Sequence, residues 1–307
     1  MRRLFGIVAV AIAVLFLAAS LRDSWGMVSA MVGAGSFWAM ATLAGLAYGA
    51  NLLLLAAAFR SLLQDPRETG ARPGLRAVAK VYARANVLKY VPGNIMHYVA
   101  RQVLARDLGA SQAAMAKTSF YEMGLLVLVA AALGSVVLVR SATALEAALS
   151  SIGQLVAGIA VVAVALVGAL LLSQARHMRG LLPACGPGGI VFAILAYAVF
   201  FIATGLLLFV VILLGLPGEA TSRPLQAIPA FTVAWLIGSV TPGASAGIGI
   251  REAVLSLLLA PMIGEDEALA AAFAMRIATT LGDLLFFLST IMLGRFVGPP
   301  ASSTMSS

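Results

Sequence analysis

The sequence predicts an all-α, polytopic integral membrane protein, and two observations lead to this fold class. Hydrophobic residues make up 62% of the 307 residues and charged residues only 10%, whereas a soluble domain carries about 25% charged residues. Apolar runs also recur along the chain, and a helix that spans a bilayer needs about 20 such residues. The clear candidates are residues 4–20, 34–59, 112–139, 151–172, 189–214 and 266–293. We therefore expect six or more transmembrane helices in one domain, 1–297, followed by a disordered tail, 298–307.

Basic residues are concentrated on one side of the predicted membrane. If the helices alternate in direction, this side holds seven basic residues between 60 and 89, together with Arg2, Arg3, Arg176, Arg179 and Arg295. Cytoplasmic loops collect Lys and Arg, so we expect a bacterial inner (plasma) membrane protein with both termini in the cytoplasm. These loops account for the net charge of +8, and we expect no nucleic-acid partner. The first run also has the features of a cleaved signal peptide, and both alternatives leave the remaining topology unchanged.

Two further apolar segments, 81–108 and 225–262, each contain a Pro-Gly pair, Pro92-Gly93 and Pro242-Gly243. Proline removes a backbone donor and glycine frees the backbone, so a helix breaks there. Inside a membrane such a break needs protein or a wet cavity around it. The charge distribution requires each segment to cross the membrane an even number of times. We therefore predict two re-entrant helical hairpins; an ordinary kinked helix or a surface loop is the alternative.

The two breaks are followed by similar residues. Arg101 comes eight residues after Gly93, and Arg251 comes eight residues after Gly243. Each is followed by a connector and a long apolar helix. Three predicted spans separate the breaks, so the second hairpin enters from the opposite face. This pattern predicts an inverted repeat with interrupted helices, which is typical of transporters.

Several charged residues fall inside apolar segments, where each costs about 2.5–3.5 kcal/mol on insertion scales. They are Glu122, Arg251, Glu252, Arg276 and Asp283, with Arg101 nearer the cytoplasmic face. Arg276 and Asp283 are two turns apart and share a helix face. We expect Glu122 or Asp283 to pair with Arg251 or Arg276 across the repeat interface. Two interpretations stay open: structural salt bridges, or a site in which arginines bind an anionic head group.

The run from Thr241 to Glu252 is rich in glycine and opens a helix. Its free amides, including those near Gly243, and the positive end of the helix dipole would suit a phosphate. Asn86 and Asn94 flank the first break and are candidates to bind freed backbone or the same head group. Glu122, Glu252 and Asp283 would tune the site or carry protons. A separate pair, Gly45 and Gly49, has the GxxxG spacing that packs membrane helices.

Cofactor and enzyme motifs are missing from the sequence. One cysteine and two histidines leave little for a metal site, and we expect no metal and no cofactor. The glycine-rich run follows no strand and lacks the Gly-Lys-Ser/Thr ending of a P-loop. Metalloprotease and serine hydrolase motifs are also absent, so we expect no enzyme. An enzyme that acts on lipid phosphates is the weaker alternative.

Around the two Pro-Gly pairs the chain resembles the lysylphosphatidylglycerol synthase transmembrane-region family. The resemblance rests on Arg84 to Gly93 with Arg101 and Gly109, on Pro242-Gly243 and Gly247 to Glu252 with Arg276, and on Glu122 between them. It covers about residues 35–295. Members resemble the lipid-flipping half of the bacterial multiple peptide resistance factor, and others are thought to move polyprenyl-phosphate-linked sugars or to serve hopanoid synthesis. No soluble aminoacyl-transfer domain is found here, so we expect no lysylphosphatidylglycerol synthesis.

The resemblance and the charged breaks together imply a flippase or scramblase for an anionic phospholipid or a polyprenyl-phosphate-linked lipid. Arg101, Arg251 and Arg276 would hold the phosphate while the acyl chains stay in the membrane. The alternative is an accessory membrane protein that partners a glycosyltransferase or another lipid-modifying enzyme. A homodimer and such a partner enzyme stay open as assemblies.

Overall fold

The computed structural model describes residues 25–63, 73–91, 96–140, 186–215, 224–241 and 245–295, and these ranges contain helices but no β-strand. The α-helices are α1 (Trp25–Gly33), α2 (Gly35–Leu62), α3 (Leu75–Val87), α4 (Met96–Val103), α5 (Gln112–Arg140), α6 (Pro187–Gly215), α7 (Pro224–Val240), α8 (Ile250–Ile263) and α9 (Glu265–Arg295). Short 3-10 turns occupy Leu88–Tyr90, Leu104–Leu108 and Ser245–Gly247. The all-α prediction is confirmed for this part of the chain.

Four helices, α2, α5, α6 and α9, are long and apolar enough to cross a membrane. They coincide with four of the six predicted spans, which confirms those four as membrane-length helices. The predicted spans 4–20 and 151–172 and the tail 298–307 lie outside the described residues. The residues of the two breaks themselves also lie outside them, namely Pro92, Gly93, Asn94, Pro242 and Gly243.

Helix α2 packs along both α6 and α9, and glycines set its approach to α9. A Cβ atom at Gly49 would lie 2.9 Å from the carbonyl oxygen of Gly282, and one at Gly45 would lie 3.2 Å from that of Ala278. Two helix backbones come this close only where small residues face each other. The prediction that Gly45 and Gly49 pack helices is therefore confirmed. The order of these contacts shows that α2 and α9 run parallel.

Polar contacts fix α2 against α6. Asn51 Nδ2 donates to the carbonyl oxygen of Phe200 at 3.0 Å and to Thr204 Oγ1 at 2.9 Å. Ser61 Oγ donates to the carbonyl oxygen of Gly189 at 3.0 Å. A later residue of α2 thus meets an earlier residue of α6, so the two helices run antiparallel.

The helices on either side of each Pro-Gly pair pack against each other, α3 on α4 and α7 on α8. The turns Leu88–Tyr90 and Ser245–Gly247 are also in contact. Both turns reach the middle of α9, where Tyr90 OH lies 3.4 Å from Thr280 Oγ1 and the carbonyl oxygen of Ala246 accepts from Arg276 Nη1 at 3.1 Å. At 1.5 Å per residue, Thr280 lies about 22 Å from each end of α9. The fold therefore brings the turns that adjoin both breaks close to the centre of a membrane-length helix.

Candidate functional site

Five charged residues meet where the two breaks reach α9, and we call them the central cluster: Lys89, Arg251, Glu252, Arg276 and Asp283. Lys89 comes from the turn that ends α3, Arg251 and Glu252 from the first turn of α8, and Arg276 and Asp283 from α9. Four of them lie in apolar helices, whereas Lys89 follows the more polar helix α3. Burial of such charges is costly unless they are paired or bind a ligand.

Asp283 ties the first break to α9. Its side chain is only 2% exposed, and it pairs with Lys89 Nζ at 2.7 Å. Asn86 Nδ2 donates to Asp283 Oδ1 at 2.7 Å, and Tyr90 OH donates to Oδ2 at 2.5 Å. One carboxylate therefore receives three donors from the other half of the chain, and its charge is compensated by Lys89.

Glu252 and Arg276 form the second ion pair of the central cluster, with Arg276 Nη1 3.2 Å from Glu252 Oε1. Glu252 Oε2 also accepts from the backbone amide of Gly249 at 2.7 Å. The turn before α8 is tightly wound, because Ala246 has φ 51° and Gly249 has φ 85°. Since L side chains rarely adopt such φ values, Ala246 is held in place by its neighbours. The amide that we expected to be free for a phosphate is thus already bound by Glu252.

Arg251 has no carboxylate within 4 Å among the described residues. Its Nη2 lies 3.5 Å from Ser239 Oγ, and its Nε is buried without a hydrogen-bond partner. Arg276 Nη2 is also buried without a partner. Buried donors are almost always satisfied. Arg101 Nε is also buried without a partner, but Arg251 and Arg276 bring two such nitrogens to one cleft, and this indicates a place for an anion.

The space around these two arginines is small in this conformation. A cleft of about 10 Å³ is lined by Arg251, Glu252, Arg276 and apolar side chains that include Phe231, Leu255 and Met275. This volume accommodates about one water molecule. The cleft is therefore too small for a phosphate as it stands, and the helices that line it would have to move apart to admit one.

Arg101 belongs to a different environment. Its side chain is 4% exposed and forms an ion pair with Glu122, whose Oε1 accepts from Tyr82 OH at 2.9 Å. The rings of Tyr82, Phe59 and Tyr98 lie 4.4, 4.9 and 5.8 Å from the guanidinium carbon. Such rings favour a desolvated cation. Within the described residues, no hydrogen bond or ion pair joins Arg101 to the central cluster.

The predicted ion pairs were wrong in detail. We expected Glu122 or Asp283 to pair with Arg251 or Arg276, but Glu122 pairs with Arg101 and Asp283 with Lys89. The physical reason is local packing, because α4 lies on α5 and α3 lies on α9. The structure does bring together Asn86, Arg251, Glu252, Arg276 and Asp283, whereas Asn94 and Gly243 lie outside the described residues.

Sequence reasoning missed Lys89 and Tyr90 as members of this site. Lys89 was counted as a loop charge, although it lies only three residues before Pro92. A charged residue beside a helix break in an apolar segment was the available signal. In the part of the chain that the structure describes, no group of three or more His, Cys, Asp or Glu side chains could hold a metal ion.

No protein-family model matches this sequence, and no curated protein matches it significantly. The resemblance to the lysylphosphatidylglycerol synthase transmembrane-region family therefore rests on the motif residues alone.

Proposed function

We propose that this protein is a transporter of the flippase or scramblase type that moves a lipid with a negatively charged phosphate head group across the membrane. The observation that carries the proposal is the pair Arg251 and Arg276, each of which has one buried nitrogen without a hydrogen-bond partner, Nε in Arg251 and Nη2 in Arg276. Arginine binds phosphate through such N–H groups. The head group would sit between these two side chains while the acyl chains remain in lipid.

The packing of the helices supports an inverted repeat in which α2 to α5 correspond to α6 to α9. The contacts of α2 with α3, α3 with α4 and α4 with α5 have counterparts in α6 with α7, α7 with α8 and α8 with α9. Across the halves, α3 packs on α9 as α7 packs on α5. The equivalent helices α2 and α6 run antiparallel, as an inverted repeat requires.

The position of the turns supports opposed re-entrant hairpins. Each pair of short helices flanks a Pro-Gly break, and both turns reach α9 near Thr280 rather than at its ends. In a bilayer about 30 Å thick that is centred on α9, turns at this position would lie near the midplane. We assign both termini to the cytoplasmic side of a bacterial inner membrane because the basic residues lie there.

Because the cleft beside Arg251 and Arg276 is too small for a phosphate, transport would require it to open, either alternately to the two sides of the membrane or transiently. Arg251 is partly buried and has no carboxylate within 4 Å among the described residues, so a phosphate that reaches it gains charge-assisted hydrogen bonds without first displacing a carboxylate from this arginine. Positive-φ residues before α8, among them Gly247 and Gly249, lie next to the place that has to open. The sequence contains no nucleotide-binding motif, so we propose transport that is passive or coupled to an ion.

Translocation in liposomes tests this proposal. Purified protein would be reconstituted with an acyl-labelled fluorescent phosphatidylglycerol, and the dye in the outer leaflet would be bleached with dithionite to follow movement between leaflets. Arg251→Gln should slow movement by at least about tenfold, since hydrogen bonds to charged groups contribute about 1.5–3 kcal/mol. Arg84→Gln is the matched control, because Arg84 is exposed and pairs with Asp107 outside the central cluster.

Two results would contradict the proposal. One is that folded wild-type protein moves no anionic lipid faster than protein-free liposomes. The other is that Arg251→Gln and Arg84→Gln move the lipid at the same rate as the wild type.

A further inference from the structure

The charges of the central cluster do not balance. Lys89, Arg251 and Arg276 provide three positive charges, and Glu252 and Asp283 provide two negative charges, so the cluster carries one excess positive charge. The excess is located at Arg251, because Lys89 is paired with Asp283 and Arg276 with Glu252. One negative charge from a ligand would make the cluster neutral.

Glu252 is the negatively charged residue next to the place where the ligand would bind, so it determines the net charge there. Its carboxylate is buried, pairs with Arg276 and lines the cleft beside Arg251. It also occupies the first turn of α8, where it binds the Gly249 amide. It therefore competes with a ligand for the positive charge of Arg276 and for the helix N-terminus.

We propose that Glu252 is a specificity-determining residue that restricts the site to a phosphate carrying one negative charge. The inference rests on the proposed function and narrows its substrate class to phosphodiesters. A phosphodiester brings one charge and neutralises the cluster. A phosphomonoester carries about −1.5 to −2 at neutral pH, and its second charge would face Glu252 without a cation of its own.

Three other described arginines are engaged elsewhere. Arg101 is committed to Glu122, and Arg84 pairs with Asp107. Arg60 donates to the carbonyl oxygen of Pro73 at the far end of α2. Like charges brought together in a site that excludes water repel strongly, so the second charge of a monoester lowers its affinity.

A phosphodiester can come from a lipid or from a water-soluble compound, and the surroundings of the site favour the lipid. Val240, Ile248 and Leu257 are large apolar side chains that lie exposed around the second break. Acyl chains would cover such a surface, whereas a soluble phosphodiester would not. The two sources share the same recognition chemistry, so a direct comparison has to separate them.

The experiment measures lipid binding to the full-length protein by native mass spectrometry in detergent. The probes are phosphatidylglycerol, phosphatidic acid and phosphatidylcholine with the same acyl chains, together with soluble glycerophosphoglycerol. Wild type should bind phosphatidylglycerol at least about tenfold more tightly than phosphatidic acid. Glu252→Gln keeps an acceptor for the Gly249 amide but removes one negative charge. It should raise the affinity for phosphatidic acid relative to phosphatidylglycerol by about tenfold or more.

Asp107→Asn is the charge-matched control, because it also removes one carboxylate but lies in an exposed pair outside the central cluster. It should change the ratio of the affinities for phosphatidic acid and phosphatidylglycerol by less than about twofold. If wild type prefers phosphatidic acid, or if Glu252→Gln leaves the ratio unchanged, the role of Glu252 is overturned while anionic lipid binding stands. Phosphatidylcholine also contains a phosphodiester, but its choline group makes the head group neutral overall. If neither anionic lipid binds better than phosphatidylcholine, the proposed function itself fails. Equal binding of glycerophosphoglycerol would overturn the assignment to a lipid.

Discussion

Two arginines at the same distance in sequence from a Pro-Gly pair differ in whether a carboxylate neutralises them. Arg101 and Arg251 each follow a Pro-Gly pair by eight residues and each lies on the short helix after it. Arg101 is paired with Glu122 on the next helix and enclosed by aromatic rings. Arg251 has no carboxylate within 4 Å in the described ranges, because the corresponding ion pair in its half uses Glu252 and Arg276 instead.

The polarity of the ion pair explains this difference. In the first half the short helix supplies the arginine and the long helix the glutamate. In the second half the short helix supplies Glu252 and the long helix supplies Arg276. Among the described residues, each half therefore joins its short and long helices with an ion pair, and the second half has Arg251 beside that pair in addition. We interpret the first break as the rigid half of the site and the second as the half that binds the ligand.

The largest expected effect is on the free energy of unfolding, where substitution of Arg101 and substitution of Arg251 should differ. Arg101→Met leaves Glu122 buried without its cation, which should lower the free energy of unfolding by about 3–5 kcal/mol. Arg251→Met removes a cation that has no ion-pair partner and should leave the stability unchanged or raise it. Reversible unfolding in mixed detergent and SDS micelles would measure both.

A double variant serves as the control for the first pair. Arg101→Met with Glu122→Gln removes both charges and keeps an acceptor for Tyr82 OH, so most of the lost stability should return. Equal destabilisation by Arg101→Met and Arg251→Met would show that the two breaks do not differ in the way described here.

A smaller effect is expected where the two halves are joined. Asp283→Asn keeps the size of the side chain but leaves Lys89 without its counter-charge, and hydrogen bonds to charged groups contribute about 1.5–3 kcal/mol. The first break should loosen from α9, so a cysteine introduced as Val91→Cys should react faster with a maleimide in a Cys185→Ser background. Unchanged reactivity would mean that Asp283 does not hold the first break. Thr280→Val is the control, because its contact with Tyr90 is long, at 3.4 Å.

The smallest of the three effects concerns the helix contact that supports the site. Gly282→Ala introduces a Cβ atom against the carbonyl oxygen of Gly45 and the ring of Tyr48, and overpacking of this kind costs about 1–3 kcal/mol. The same unfolding assay would detect it. Gly124→Ala is the matched control in a helix of the other half, since a Cβ atom there meets nothing within 4 Å. Similar losses from both substitutions would contradict the close approach of α2 and α9.

The sequence was sufficient for the elements whose formation depends on local composition. The apolar runs predicted α2, α5, α6 and α9, and the spacing of Gly45 and Gly49 predicted a close helix contact. Ion-pair partners were not predictable, because they depend on which helices pack together after the breaks. Lys89 shows why: its partner Asp283 lies 194 positions further along the chain, and only the packing of α3 on α9 brings them together.

The most direct test of the central claim is a cryo-electron microscopy structure of the protein in nanodiscs that contain phosphatidylglycerol. We predict phosphate density about 3 Å from the guanidinium nitrogens of Arg251 and Arg276, in a cleft wider than the present one of about 10 Å³. Arg101 should still be paired with Glu122. Head-group density at Arg101, or none at Arg251 and Arg276 in a map that resolves both side chains, would contradict the account.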